Sequence, residues 1–448
     1  MKSGALLSNR VKLIFLLLFL LAFRTLFGLS MPFYGAGEID RDALQTYLIG
    51  LKCYTTNTWP YFGPDQYLLD TGFHSQMPGA LEGLVIGLPF YLLPVPEAPF
   101  LMLNLLSLTA IALLAWYITC RLPELSFPFV LTWIGLLPWT LNESTHIYNI
   151  SFLLFGSVLF FVGFLEALPG FSLGRLSPGL AFGLMGIGLF WNLQFHYSWI
   201  LLPPFILAAF FLRRRGGLTA WGREILGFVA GAALPLAFLV PTFVRYGFQQ
   251  ESGGFTGVAM GFSWDNFCSF FTILARYLSF PCFEMPRFLG SGTQERLEFL
   301  KRAPWLIPPA IFLTLIGWFQ PFVLLIYGWF KDSKHGDARD IHRWTMIGFF
   351  WIWVCFWFTS KQPASRMYYL FLPLVTVYYF YLWSRLVSRV GWRRFAAACL
   401  IASLWFQSGY MARMIKDRSL YTDRHRIVKA LQEKDYHILY ERRPWALY

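Results

Sequence analysis

Carboxylates at alternate positions are the side chains in this sequence best placed to move a proton. Glu38, Asp40 and Asp42 stand in the stretch Gly37-Glu-Ile-Asp-Arg-Asp-Ala-Leu-Gln-Thr46, directly after the first apolar segment. The 448-residue chain holds only 24 Asp and Glu, so three within five residues need an explanation. A carboxylate held beside a reacting hydroxyl or amine accepts its proton as a general base, as glycosyl or acyl transfer requires. The same residues suit a helix start. From Asp40 onward Leu44, Tyr47, Leu48 and Leu51 share one helical face. Asp40 then serves as cap and Asp42 lies in the first turn, where the dipole favours negative charge. Capping by one residue and catalysis by its neighbour are compatible.

Other polar groups fall beside apolar runs: His74 and Gln76, Glu143, His146 and Asn149, Gln194 and His196, and Lys361, Arg366 and Tyr368. Lys361 and Arg366 suit a phosphate, with Arg as a two-bond clamp and Lys as a point charge. The competing reading is a pair of snorkelling anchors in an aromatic belt. His146 and His196 suit either packing or a divalent metal, and their spacing makes no ligand motif. Glu82 and Glu143 are functional candidates because carboxylates at membrane depth are rare. Glu166 reads as interfacial. Of the six Cys, only Cys268 and Cys282 share a loop in which they could pair.

The elements that must position these groups are membrane helices. The chain is 56% hydrophobic and 14% charged, against about 25% charged in soluble domains. Apolar runs without strand alternation exclude a β-barrel. The expected fold is therefore an all-α polytopic membrane protein. The net charge of +13 sits in short loops between apolar runs, an orientation and lipid-headgroup signal rather than one for nucleic acid. Spans are expected at about 11–31, 97–119, 125–141, 149–168, 178–193, 197–212, 223–244, 304–330, 342–359, 367–386 and 393–411. The first reads as an uncleaved span, too long for a signal peptide. Basic loops at Arg213–Arg215, Lys331–Arg343 and Arg385–Arg394 face the cytoplasm, which closes the alternation only if Met77–Pro94 does not cross. The expectation is eleven crossings, a cytoplasmic N-terminus and an extracytoplasmic C-terminus. Residues 1–411 form the transmembrane domain, with outer loops at 32–94 and 245–303, and 412–448 a short tail. An apolar patch at Phe267–Phe280 is expected on the membrane surface. The acidic cluster, His74 and Gln76, Glu143, His146 and Asn149, Gln194 and His196, and Lys361, Arg366 and Tyr368 then lie on the outer face, with Glu166 near the inner end of its span.

Several short motifs follow one another in order. They are Asn57-Thr-Trp-Pro-Tyr-Phe-Gly-Pro64, His74-Ser-Gln-Met-Pro-Gly-Ala-Leu-Glu82, Leu137-Pro-Trp-Thr-Leu-Asn-Glu143 with Tyr148-Asn149, Asn192-Leu-Gln-Phe-His-Tyr-Ser-Trp199, and Arg366-Met-Tyr-Tyr-Leu-Phe-Leu-Pro373. With the acidic cluster this succession, over about residues 10–385, resembles the GT-C superfamily of membrane glycosyltransferases. It is most similar to the bacterial branch related to protein mannosyltransferases and the lipid A aminoarabinose transferase. The resemblance implies a GT-C-like bundle with juxtamembrane helices in the first and a later outer loop. It implies an inverting enzyme of the bacterial inner membrane that moves a sugar from a polyprenyl-phosphate carrier to a lipid, glycan or protein acceptor. The base falls on Asp42, then Asp40, then Glu38. Carrier-phosphate contacts fall on Lys361 and Arg366, and a second acidic residue matches Glu143 or is missing, with Asn149 in its place; Tyr368, His74, His146 and His196 are substrate-binding candidates by their placement beside the apolar runs. Relatives often carry adjacent Asp-Glu, whereas Arg41 separates the two Asp here. The resemblance fixes no cofactor and leaves a divalent cation, Mg or Mn, open. No phosphate-binding G-x-x-x-x-G-K is present, in keeping with a lipid-linked donor. The rival class is a transporter, or a flippase or ligase for lipid-linked glycans; an inverted-repeat transporter would show an internal repeat, and none is visible.

Overall fold

The computed structural model describes residues 2–31, 38–68, 73–213, 218–247, 262–279, 289, 293–332, 336–359, 365–387, 389–415, 420–422 and 424–440. Its elements run α1 (Lys2–Ser30), α2 (Glu38–Thr56), β1 (Phe62–Leu68), β2 (Phe73–Pro78), α3 (Leu81–Leu92), α4 (Ala98–Arg121), α5 (Phe127–Leu136), α6 (Pro138–Ser144) and, after a 3-10 turn at Asn149–Phe152, α7 (Leu153–Ala167). Then come α8 (Pro178–Leu193), a 3-10 turn at Tyr197–Leu201, α9 (Pro203–Arg213), α10 (Leu218–Leu236), α11 (Val240–Tyr246), α12 (Trp264–Cys268), α13 (Phe270–Ser279) and α14 (Thr293–Arg302). The last are α15 (Ile307–Tyr327), α16 (Gly336–Trp357), α17 (Ser365–Tyr368), α18 (Leu372–Val387), α19 (Val390–Met414), α20 (Arg424–Glu433) and α21 (His437–Tyr440).

The protein is an all-α membrane protein apart from, among the described residues, one antiparallel hairpin, β1 with β2. Among the described residues five helices are long and apolar enough to cross a bilayer: Arg10–Ser30, Ala98–Arg121, Asn149–Ala167, Pro304–Phe330 and Val390–Met414. Trp221–Leu236 with Val240–Tyr246 makes a sixth if the pair, bent by 63°, is one span. Proline explains this bend and a second break. Pro235 lies inside α10 and cannot donate to the helical ladder. Leu137, forced extended by Pro138, divides the expected span 125–141 into α5 and α6. All eleven expected segments are helical. α3 has 12 residues; at 1.5 Å each it reaches about 18 Å, short of a hydrocarbon core of about 30 Å.

Polar anchors mark the two ends of the bundle. At the C-terminal end of α4, Arg121 pairs with Glu166 at 3.3 Å, and Glu166 also accepts from Tyr117 and the amide of Leu173. Glu166 is thus fully buried in a structural knot near the end of α7. At the other end of α4, Asn104 and Ser107 bind the carbonyls of Thr145 and Ser144. Asn104 and Arg121 lie roughly 26 Å apart along the helix axis. The stretch 142–149 and the basic end of α4 are therefore on opposite faces of the bundle.

Two further placements add to the sequence expectation. Within the expected Phe267–Phe280 patch, one face of the helix packs on the protein and Phe271 is exposed. α13 buries Ile273, Leu274, Tyr277 and Leu278 against α15 and α16, and Tyr277 donates to the Thr345 carbonyl at 3.0 Å. The tail is docked: Arg424 grips Glu97 at 2.6 and 3.4 Å, Lys434 lies over the Tyr54 ring and Lys52 over that of Tyr436. This puts the tail at the same end of the molecule as α2.

Candidate functional site

The site is built on α2. Leu44, Tyr47, Leu48 and Leu51 are all fully buried, as the helical spacing predicts. The helix begins at Glu38, so Asp40 is its third residue and does not occupy the cap. Asp42 is half-buried, one turn before Thr46. α3 crosses α2 closely at two glycines: a side chain on Gly87 would place its first carbon 2.9 Å from the Gly50 carbonyl oxygen. That crossing sets Glu82, at the start of α3, opposite the Asp42–Thr46 face. Thr46 donates to Glu82 Oε1 at 3.1 Å, and Asp42 acts on Glu82 through its charge. Glu82 is wholly buried and its Oε2 has no hydrogen-bond partner.

A second polar group lies under the Asn149–Phe152 turn, which packs on α2. Glu143 is buried and accepts from Asn142 at 2.8 Å. His146 is buried, stacks on Tyr148 at 5.8 Å, and has no partner at Nδ1. Burial lowers its pKa to about 4, opposed by a hydrogen bond with the Asn142 backbone, so the imidazole is neutral at pH 7. Tyr369 lies among Ser144, Glu143 and Arg24. Arg24 is fully buried and donates to the carbonyls of Gly135, Thr140 and Ser144 and to Ser144 Oγ at 2.8 Å.

The remaining expected residues divide clearly. His196 caps the turn after α8, its Nδ1 paired with Ser198 Oγ at 2.9 Å. Gln194 donates to the Pro235 carbonyl at 2.8 Å. Tyr368 is buried among aromatics, 6.1 Å from Phe356 and 6.5 Å from Tyr277. The side chains of Glu38, Asp40, His74 and Arg366, and all of Lys361, lie outside the described residues, as does Cys282; Cys268 is free and exposed. Of the expected site residues, Asp42 is therefore brought to Glu82, and Glu143 to Tyr369, on which Arg24 also acts. Sequence reasoning missed Thr46, Tyr369 and Arg24 as members of the site. Thr46 had a signal: it stands four residues after Asp42, on the same helical face.

No group of three or more His, Cys, Asp or Glu among the described residues is arranged to hold a metal ion. No protein-family model matches the sequence, and no curated protein and no solved structure matches it.

Proposed function

We propose that the chain is a membrane glycosyltransferase that moves a sugar from a polyprenyl-phosphate carrier to an acceptor, with Asp42 as general base. The observation carrying this reading is a half-exposed carboxylate held on a non-spanning helix, against a buried carboxyl, at one end of an apolar helical bundle. A base needs a fixed position and access to its substrate, and Asp42 has both. The second polar group, Glu143 with neutral His146, suits hydrogen bonds to sugar hydroxyls. Lys361 and Arg366 supply the phosphate contacts, where a leaving phosphate needs positive charge.

In this reading the protein crosses the bacterial inner membrane eleven times, from a cytoplasmic N-terminus to an extracytoplasmic tail. Docking of the tail beside α2 supports placing both on one side. The test is release of polyprenyl phosphate by the purified protein supplied with polyprenyl-phosphate sugars and candidate acceptors. Asp42→Asn is expected to lower the rate by about 100-fold or more, the usual contribution of a general base. Undiminished transfer in that variant would remove Asp42 from the role.

A further inference from the structure

Two carboxyl groups set against each other in a poorly hydrated place do not both ionise, because each charge penalises the other. Asp42 and Glu82 are such a pair, and their surroundings differ. Asp42 is half-buried on α2, while Glu82 is fully buried at the start of α3. One Glu82 oxygen accepts from Thr46 and the other has no partner. That second oxygen faces Gly63 of β1, where a side chain would place its first carbon 2.9 Å away. Glycine at 63 thus leaves room for the carboxyl tip.

We infer that Glu82 is a positioning residue for Asp42: a buried carboxylic acid that keeps its proton and leaves the ionised state to its neighbour. The inference rests on the transferase reading for its consequence, though not for its chemistry. Burial drives the Glu82 pKa well above the carboxylate range, the Thr46 hydrogen bond opposes this, and the Asp42 charge adds to it. Among the described side chains, Asp42 is the ionisable group that acts on Glu82. Tyr47 of α2 is turned to the Pro96 carbonyl at 3.0 Å, and Cys53 packs with Ala80 and Leu84. The ionisable residues of α4, Tyr117, Cys120 and Arg121, stand at its far end. β1 presents Gly63.

In the transfer step the acceptor O–H proton passes to Asp42. The acceptor oxygen bonds to the anomeric carbon as the bond to the carrier phosphate breaks, and that electron pair leaves on phosphate. The Glu82 proton stays in place. Its loss at high pH would put two negative charges across the α2–α3 crossing.

Infrared spectroscopy of the purified full chain tests this without substrate. A carboxylic-acid carbonyl band is expected at neutral pH in the wild type and not in Glu82→Gln. In Asp42→Asn the titration of that band should move to lower pH, since a neighbouring negative charge has been removed. Absence of the band from the wild type, or an unmoved titration in Asp42→Asn, would overturn the inference. If Glu82→Gln does not fold, the Asp42→Asn titration carries the test alone. With polyprenyl-phosphate sugar as substrate, Glu82→Gln should lose the alkaline limb of the kcat/KM profile, whatever its level at neutral pH. A uniform fall at every pH would instead mark a purely structural residue. A wild type that shows the band but transfers no sugar would refute the transferase reading and leave the proton-holding pair standing.

Discussion

Replacing Gly231 by alanine tests how the bundle holds the site. α8 and α10 meet through reciprocal glycines: a first side-chain carbon on Gly231 would lie 2.7 Å from the Gly183 carbonyl carbon, and one on Gly227 2.7 Å from that of Gly179. The obstacle is backbone, so no rotamer change relieves it. The helices must part by roughly 1 Å to restore carbon–carbon contact near 3.5 Å. Overpacking of this kind costs about 1–3 kcal/mol. Close backbone approach through small residues is also the source of helix association in membranes, where no hydrophobic force acts between helices. Gly222 supplies the control, because on the same helix a side chain there meets nothing within 4 Å. Alanine at 222 should be neutral or stabilise by up to about 1 kcal/mol, since glycine is a poor helix former. Gly227→Ala combined with Gly231→Ala should cost less than the sum, because the first separation makes room for the second. Denaturant unfolding in mild detergent measures all four proteins. Equal stability of Gly231→Ala and Gly222→Ala would refute the reasoning. The consequence for the site runs through Gln194, which ties α8 to the Pro235 carbonyl of α10 and packs against Gly79, just before α3.

Two other perturbations follow. His146 has its pKa lowered to about 4 by burial, against 6.5 for the free side chain. The unfolded chain therefore binds the proton more readily, so stability is complete above pH 6.5 and falls as the pH drops toward 4, by up to roughly 3 kcal/mol. His146→Gln should flatten that slope in pH-dependent unfolding, and an unchanged slope would refute the assignment. Arg424→Glu should free the tail from Glu97, seen as faster cleavage around residues 416–423 in limited proteolysis, with the reversed pair Glu97→Arg, Arg424→Glu restoring resistance. The stability effect should stay below about 1 kcal/mol because the pair is partly exposed, and unaltered cleavage in the single variant would show that the pair does not hold the tail.

What could be read from the sequence was what depends on neighbours along the chain. The apolar face of α2 is local, and its four residues are buried as expected. The eleven apolar segments are helical for the same reason, and so is the proline-containing Met77–Pro94 segment, as the 12-residue α3. The β1–β2 hairpin gave no such signal: Pro64 and Pro78 sit in its strands, and its residues do not alternate cleanly between apolar and polar. The site was legible only by half. Asp42 stood out by composition, but Glu82 reaches it across 40 positions, through a crossing of two glycines that no periodicity marks. Tail docking depends on a contact between residues 97 and 424, and nothing near either residue announces the other.

Arg24 shows how a residue that reads as a flaw becomes a support. A lone cation inside a membrane helix is costly unless it meets acceptors. The break before Pro138 supplies them, because ending α5 leaves its last carbonyls without helical partners. Arg24 takes the Gly135 carbonyl and Ser403 takes that of Leu136. The other guanidinium nitrogen reaches the end of α6 at Ser144, where a positive charge also suits the helix dipole. The cation and the break before Pro138 therefore supply each other with partners, Arg24 Nε excepted. α6 ends at Ser144, so the same bonds hold the chain that carries Glu143 and His146. A charge 120 positions away in sequence fixes where that chain stands.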